Sequence, residues 1–131
     1  MRLLLDTHVA IWALIRPARL GETGRTLVAD PGNEVFVSVV SVWEIAIKHV
    51  LGARGGALPF SGARAIELFA QAGYRMLEVR AEHAVTTETL PRLHGDPFDR
   101  LLVAQALAEP MRLVTADAMV ARYSDMIIKV P

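Results

Sequence analysis

Arg2-Leu3-Leu4-Leu5-Asp6, followed at once by Thr7-His8-Val9-Ala10-Ile11-Trp12-Ala13-Leu14-Ile15, is the stretch that decides the fold. Three consecutive leucines closed by an acid read as a short strand buried on both faces, since a one-sided strand would alternate apolar with polar residues. The segment His8–Ile15 reads as a short helix stopped by Pro17. A buried strand leading straight into a helix is the repeating unit of a parallel α/β sheet.

The same unit recurs outward from there. Gly21–Ala29 reads as a helix ended by the turn Asp30-Pro31-Gly32-Asn33. Val35–Val37 is a second strand, and Val39–Leu51 a strong helix with Gly52 just beyond it. Gly52–Gly62 is loose, glycine-rich and loop-like, and Ala63–Ala72 is helical with Gly73 as its stop. A strand at Met76–Val79, a helix at Ala81–Leu90 ended by Pro91, and a helix at Pro97–Ala108 come next. A strand at Leu113–Thr115, a helix at Ala118–Tyr123 and a strand at Met126–Val130 complete the chain. No repeat, low-complexity tract or linker interrupts it. The expectation is one α/β domain spanning residues 1–131, a parallel sheet with helices on both faces.

Apolar residues make up 53% of the 131 residues, and mean hydropathy is +0.34. A sheet buried on both faces raises that fraction, and a permanent partner surface would raise it further. Cysteine is absent, which excludes disulfides and thiolate metal sites and fits a reducing compartment. The opening apolar run stops at Asp6, too short for a secretory signal, and the apolar stretch near Val35–Val42 is too short to span a bilayer. The expectation is a soluble, cytoplasmic protein with no membrane contact. Formal net charge is zero, which counts against bulk electrostatic binding of nucleic acid.

Sites in open parallel sheets form beyond the carboxyl ends of the strands. Asp6 closes the first strand, Glu44 lies in the helix after the second, Asp96 and Asp99 open the helix Pro97–Ala108, and Asp117 follows the strand Leu113–Thr115. Each acid has a purely structural use. Asp6 and Asp117 can cap helices, Ser41-x-x-Glu44 matches a capping box, and Asp96-Pro97-x-Asp99 is good helix-start chemistry. Caps, however, do not need to converge. Carboxylates about 4 Å apart repel by roughly 1 kcal/mol in water and roughly 4 kcal/mol at an effective dielectric near 20. A hard divalent cation offsets that repulsion and takes carboxylate oxygens, so Mg²⁺ or Mn²⁺ is the natural cofactor rather than zinc.

LLLDTH at residues 3–8, SVVSVWEIAIK at 38–48, HGDPFDRLLVAQA at 94–106 and LVTAD at 113–117 resemble the PIN domain, and the Trp-Glu pair and DPFDR block resemble its VapC-type toxin branch. The resemblance runs from Arg2 to about Val130. It implies a three-layer α/β/α domain with a short parallel sheet and an acidic pocket for one or two Mg²⁺ or Mn²⁺ ions. The activity implied is hydrolysis of RNA phosphodiesters by the toxin half of a toxin–antitoxin pair. Matched motif by motif, Asp6 is the first acid, Glu44 the second, Asp99 the third and Asp117 the fourth, all as catalytic metal ligands. Asp96 falls to a capping or outer-shell role, and Thr7, Ser41 and Thr115 to orienting water or ligands. A VapB-like antitoxin and homodimerisation through helices are implied as well, with the antitoxin filling an apolar groove around Gly52–Gly62.

The remaining polar and aromatic residues carry mostly structural expectations. His94 precedes the DPFDR helix, within reach of a phosphate, although such a histidine more often packs or hydrogen-bonds in its loop. His8 belongs to a first helical turn, and His49 and His83 read as ordinary helix-face residues. Arg100 is expected to pair with another acid or brace the sheet edge. Trp12 and Trp43 are expected in the core. Aspartyl phosphotransfer of the haloacid-dehalogenase kind wants a second aspartate where His8 stands, and a receiver domain wants an acidic pair near the first strand. A non-catalytic RNA- or protein-binding module of the same fold is the alternative from another class, and the presence of all four acids argues against it.

Overall fold

The structure, a computed structural model, describes residues 1–52 and 58–131. Strands β1 (Arg2–Leu5), β2 (Glu34–Ser38), β3 (Arg75–Leu77), β4 (Arg112–Thr115) and β5 (Ile128–Lys129) form one five-stranded sheet in the order β3-β2-β1-β4-β5. Every pairing is parallel. The chain steps outward from β1 to β3, then returns to the other side of β1 for β4 and β5. The direction of winding therefore reverses between β1 and β4, and a crevice opens beyond their carboxyl ends.

The leucine run does what its composition demands. Leu3 and Leu5 point into one core with Val9, Ile11, Ile45 and Phe69, and Leu4 points into the other with Val40, Leu102, Val103 and Leu113. All three leucines are fully buried. Helices α1 (Thr7–Ile15), α2 (Gly21–Ala29) and α4 (Gly62–Gln71) cover the first face, while α5 (Ala81–Thr86) packs against α6 (Pro97–Ala108), which covers the second face with α7 (Ala118–Ala121). Helix α3 (Val39–Leu51) spans the seam, giving Ile45 to one core and Val40 to the other. The result is the expected α/β/α three-layer arrangement. Among the described residues no helix is long and apolar enough to cross a membrane.

Several local expectations are corrected. The cap of α3 is Ser38, whose hydroxyl accepts the Val40 N–H at 3.0 Å, so Ser41 and Glu44 lie inside the helix and form no capping box. Helix α5 ends at Thr86 and passes into a 3₁₀ turn, Thr87–Thr89, instead of running to Leu90. The hydroxyls of Thr86, Thr87 and Thr89 donate to the carbonyls of Glu82, Ala84 and Thr86, and such back-bonding loosens helical geometry. Edge strands β3 and β5 are shorter than expected. Within Gly52–Gly62, residues 53–57 lie outside the described residues, and Gly62 already belongs to α4, capped by Ser61.

Side-chain roles shift as well. Trp12 is half-buried against the core with the Arg19 guanidinium 4.4 Å over its ring. Trp43 is not a core residue: it is 58% exposed and meets Phe98 edge-on at 5.1 Å. Arg100 pairs with no acid among the described residues. It donates to the carbonyls of Thr87 (3.1 Å) and Pro91 (2.9 Å) and to the Tyr123 hydroxyl (3.0 Å), so it closes off the end of the α5 segment. His83, read as an ordinary helix-face residue, is fully buried. Its Nδ1 accepts the Arg80 N–H at 3.0 Å, and its Nε2 lies 2.6 Å from Glu109 Oε2. His8, in the first turn of α1 as expected, and His49, on α3, are exposed.

Candidate active site

The crevice between β1 and β4 collects the acids in layers. Asp6 sits at the end of β1, nearly buried, and its Oδ1 caps α1 by accepting the Val9 N–H at 2.9 Å. Its Oδ2 accepts the hydroxyl of Thr115 from the end of β4. The same Thr115 oxygen accepts the Asp117 N–H at 3.0 Å, so one threonine ties the first and fourth acids together across the switch point. On the other flank, the Thr7 hydroxyl lies 2.9 Å from both Ser41 Oγ and Glu44 Oε1. Lys48, one turn along α3, holds Glu44 Oε2 at 2.9 Å. Thr7, Ser41 and Thr115 are therefore the side chains that orient the acids.

Asp96 caps α6, accepting the Phe98 N–H at 2.8 Å and the Asp99 N–H at 3.4 Å. That start aims Asp99, three residues on, into the crevice. His94 stands between Asp99 and Asp117, with Nε2 3.3 Å from Asp99 Oδ2 and 3.2 Å from Asp117 Oδ2. Donor atoms of these three side chains lie within 4.8 Å of one another. All four sequence-expected acids thus border one crevice, and His94 joins them from a loop. A second gathering, Glu82, His83 and Glu109, is already satisfied internally, because Arg80 reaches both glutamates and His83 bonds Glu109.

Electrostatics record the crowding. Burial pushes the Asp6 carboxyl above its ordinary range against the pull of the Thr115 and Val9 bonds, and nearby Glu44 adds to the rise. Asp99 is pushed up to about 7, first by burial, then by the negative charges of Asp96, Asp6 and Glu44, with His94 opposing. Asp117 goes the other way: slight burial would raise it, but the Val120 and Met119 N–H groups and His94 together hold it below the usual carboxylate range. Three acids distant in sequence therefore feel one another, while the fourth is held charged at the rim.

A pH dependence follows for the metal-free protein. Between the ordinary aspartate value of 3.8 and about 7, folded Asp99 keeps a proton that the unfolded chain has released. Stability is then fullest below the ordinary value and is lost as pH rises towards 7. Asp6, also raised, acts in the same sense. Urea denaturation in chelator from about pH 5 to about pH 8 should show the midpoint falling, and Asp99→Asn should flatten the slope. An equally steep profile in the variant would show that the repulsion lies elsewhere.

A parallel α/β/α sheet with acids from β1, α3, α6 and the β4 end gathered at its switch point defines a carboxylate-site domain of the Rossmann-like class. The PIN domain family model matches residues 3–126. A Mycobacterium tuberculosis protein, ribonuclease VapC22, is 31% identical over 115 residues, 87% of this chain and 85% of that protein. The chain belongs to the PIN domain family. Two solved structures share its fold. One is VapBC2 from Rickettsia felis bound to a promoter DNA fragment (TM-score 0.71, 17% identity, 98% of each chain covered). The other is VapBC-1 from nontypeable Haemophilus influenzae (TM-score 0.65, 20% identity, 98% of this chain and 96% of that one).

Proposed function

We propose that the chain is a divalent-cation-dependent ribonuclease acting as the toxin of a toxin–antitoxin pair. The observation that carries the reading is the convergence of acids from separate elements on one crevice: Thr115 ties Asp6 to Asp117, Thr7 holds Glu44 beside Asp6, and His94 stands between Asp99 and Asp117. A fold that needed these acids only as helix caps would not crowd them. The donor chemistry fits a hard cation: carboxylate oxygens from Asp6, Glu44, Asp99 and Asp117, with hydroxyls of Thr7 and Thr115 beside them. Those four acids would hold Mg²⁺ or Mn²⁺, which when bound supplies an activated water and neutralises charge developing on a phosphodiester.

The chain's own groups do the positioning. Thr115 and the Val9 N–H fix both oxygens of Asp6, leaving the carboxylate little rotational freedom. Thr7 and Lys48 do the same for Glu44. A site preorganised in this way loses little to reorganisation when substrate arrives. The relative named ribonuclease VapC22 supports RNA as substrate, and the VapBC neighbours support an antitoxin partner. Exposed Trp43, Val50 and Leu51 on α3 and Ile66 on α4 supply apolar surface for such a partner or for a second copy of the chain. Both assemblies belong to this reading, as does residence in the cytoplasm.

The test is cleavage of total cellular RNA by the purified chain. Activity should appear with Mg²⁺ or Mn²⁺, vanish on chelation and return when metal is restored. Cleavage indifferent to chelator would refute the metal-dependent reading.

A further inference from the structure

We propose that His94 is not a metal ligand but a hydrogen-bond donor to a phosphate oxygen of the RNA, fixed in that role by its own loop. The inference rests on the ribonuclease reading for its substrate, though not for its tautomer. The Asp96 backbone N–H donates to His94 Nδ1 at 3.1 Å, so Nδ1 presents a lone pair and carries no proton. The ring's one hydrogen is then on Nε2, the nitrogen aimed at the Asp99 and Asp117 carboxylates. A histidine coordinates a cation only through an unprotonated nitrogen. With Nδ1 committed to a backbone N–H, Nε2 cannot also be bare without leaving an imidazolate. The cluster of His94, Asp99 and Asp117 therefore contains two possible ligands and one donor.

The loop that carries the ring is held by its own hydrogen bonds. The His94 backbone N–H donates to the Tyr123 hydroxyl at 2.9 Å, and Arg100 donates to that same hydroxyl at 3.0 Å. Arg100 also grips the carbonyl of Pro91, so the loop is held at His94 and at Pro91 before it. The side chain still keeps 20% of its surface open at the crevice. The donor matters here because the chain has zero net charge and little general attraction for RNA. Were Asp99 and Asp117 to hold a cation, the Nε2–H would need another acceptor, and a phosphate oxygen of the substrate would supply one.

Two measurements test the assignment. Long-range ¹H–¹⁵N spectra of the protein should show the His94 Nε2–H tautomer without metal and with Mg²⁺, and the Nε2 resonance should shift when an oligouridylate is added in Ca²⁺. Mn²⁺ affinity of His94→Ala should stay within about threefold of wild type, while its RNA cleavage falls about ten- to hundredfold, the scale of a hydrogen bond to a charged group. His94→Gln, which can keep an N–H near the Nε2 position, should recover part of that loss. An Nδ1–H tautomer in the presence of Mg²⁺, or Mn²⁺ binding weakened more than about tenfold in His94→Ala, overturns the proposal. Wild-type protein that fails to cleave RNA would strike the ribonuclease reading and leave the tautomer result standing.

Discussion

Asp99→Asn is expected to cut metal-supported RNA cleavage by well over a hundredfold while making the metal-free protein more stable. The functional loss should exceed the roughly ten- to hundredfold typical when only a supporting residue around a metal is removed. Asparagine keeps the shape of the side chain and leaves the Asp96 cap of α6 untouched. What it removes is a carboxyl pushed up to about 7 by burial and by Asp96, Asp6 and Glu44. Like charges about 4 Å apart in a partly wet crevice repel by roughly 1 to 4 kcal/mol, and residual exposure favours the low end. Relief of about 1 kcal/mol at neutral pH corresponds to a melting temperature on the order of 4 °C higher for a domain of this size. Circular dichroism melts in chelator check the gain, and gel-resolved RNA cleavage checks the loss. Added Mn²⁺ should then raise the melting temperature of wild type more than that of the variant, because it binds the intact site better. A variant that both melts lower and cleaves at the wild-type rate would remove Asp99 from the site.

The opposed signs matter because they separate a carboxylate crowded by its neighbours from one that also caps a helix. Asp117 makes the contrast within the same crevice. Its Oδ1 accepts the Met119 and Val120 N–H groups, and its carboxyl is held below the ordinary range. Removing that charge should cost the cap of a four-residue helix, so Asp117→Ala is a worse probe of chemistry than Asp99→Asn.

How much of this could be read beforehand depends on which physical signal each residue carries. The leucines of β1 declare a doubly buried strand by composition alone, and α6 is bracketed by Asp96-Pro97 at its start and Pro110 beyond its end, so its bounds match the structure. The strand-end positions of Asp6 and Asp117 and the helical placement of Glu44 and Asp99 follow from that alternation. Edge strands β3 and β5 carry two or three paired residues and no such signal, so the sequence overstates their length. Direction within a helix was harder still. Trp43 and Ile45 differ by two positions on α3, yet one faces solvent and the other the core, and apolar character does not distinguish them. Ser38 and Ser41 are equally good caps by residue type, and the choice falls to Ser38 because β2 ends there. The hydrogen bonds of Arg100 to carbonyls have no sequence signature, since any backbone can supply them.

The least legible feature makes the second large prediction. Gln105, in the middle of α6, is fully buried and sits among apolar neighbours in sequence. Its Oε1 accepts the Ser38 hydroxyl at 2.6 Å, and its Nε2 donates to the Glu78 carbonyl at 3.2 Å. Through Ser38 it fastens the start of the helix that carries Ser41 and Glu44. On its other side lies His83, whose Nδ1 accepts the Arg80 N–H and whose Nε2–H therefore donates to Glu109. Gln105→Leu preserves volume and adds apolar surface, so cavity formation does not confuse the result. It leaves the Ser38 hydroxyl hydrogen and the Glu78 carbonyl without these partners in a buried setting, each at about 1–3 kcal/mol. Urea denaturation should show a loss of about 2–4 kcal/mol, a large share of the roughly 5–15 kcal/mol that holds a domain of this kind together. A change smaller than about 0.5 kcal/mol would mean that water replaces the amide. Gln105 would then be a space-filler and not the link between the α5 network and the Glu44 helix.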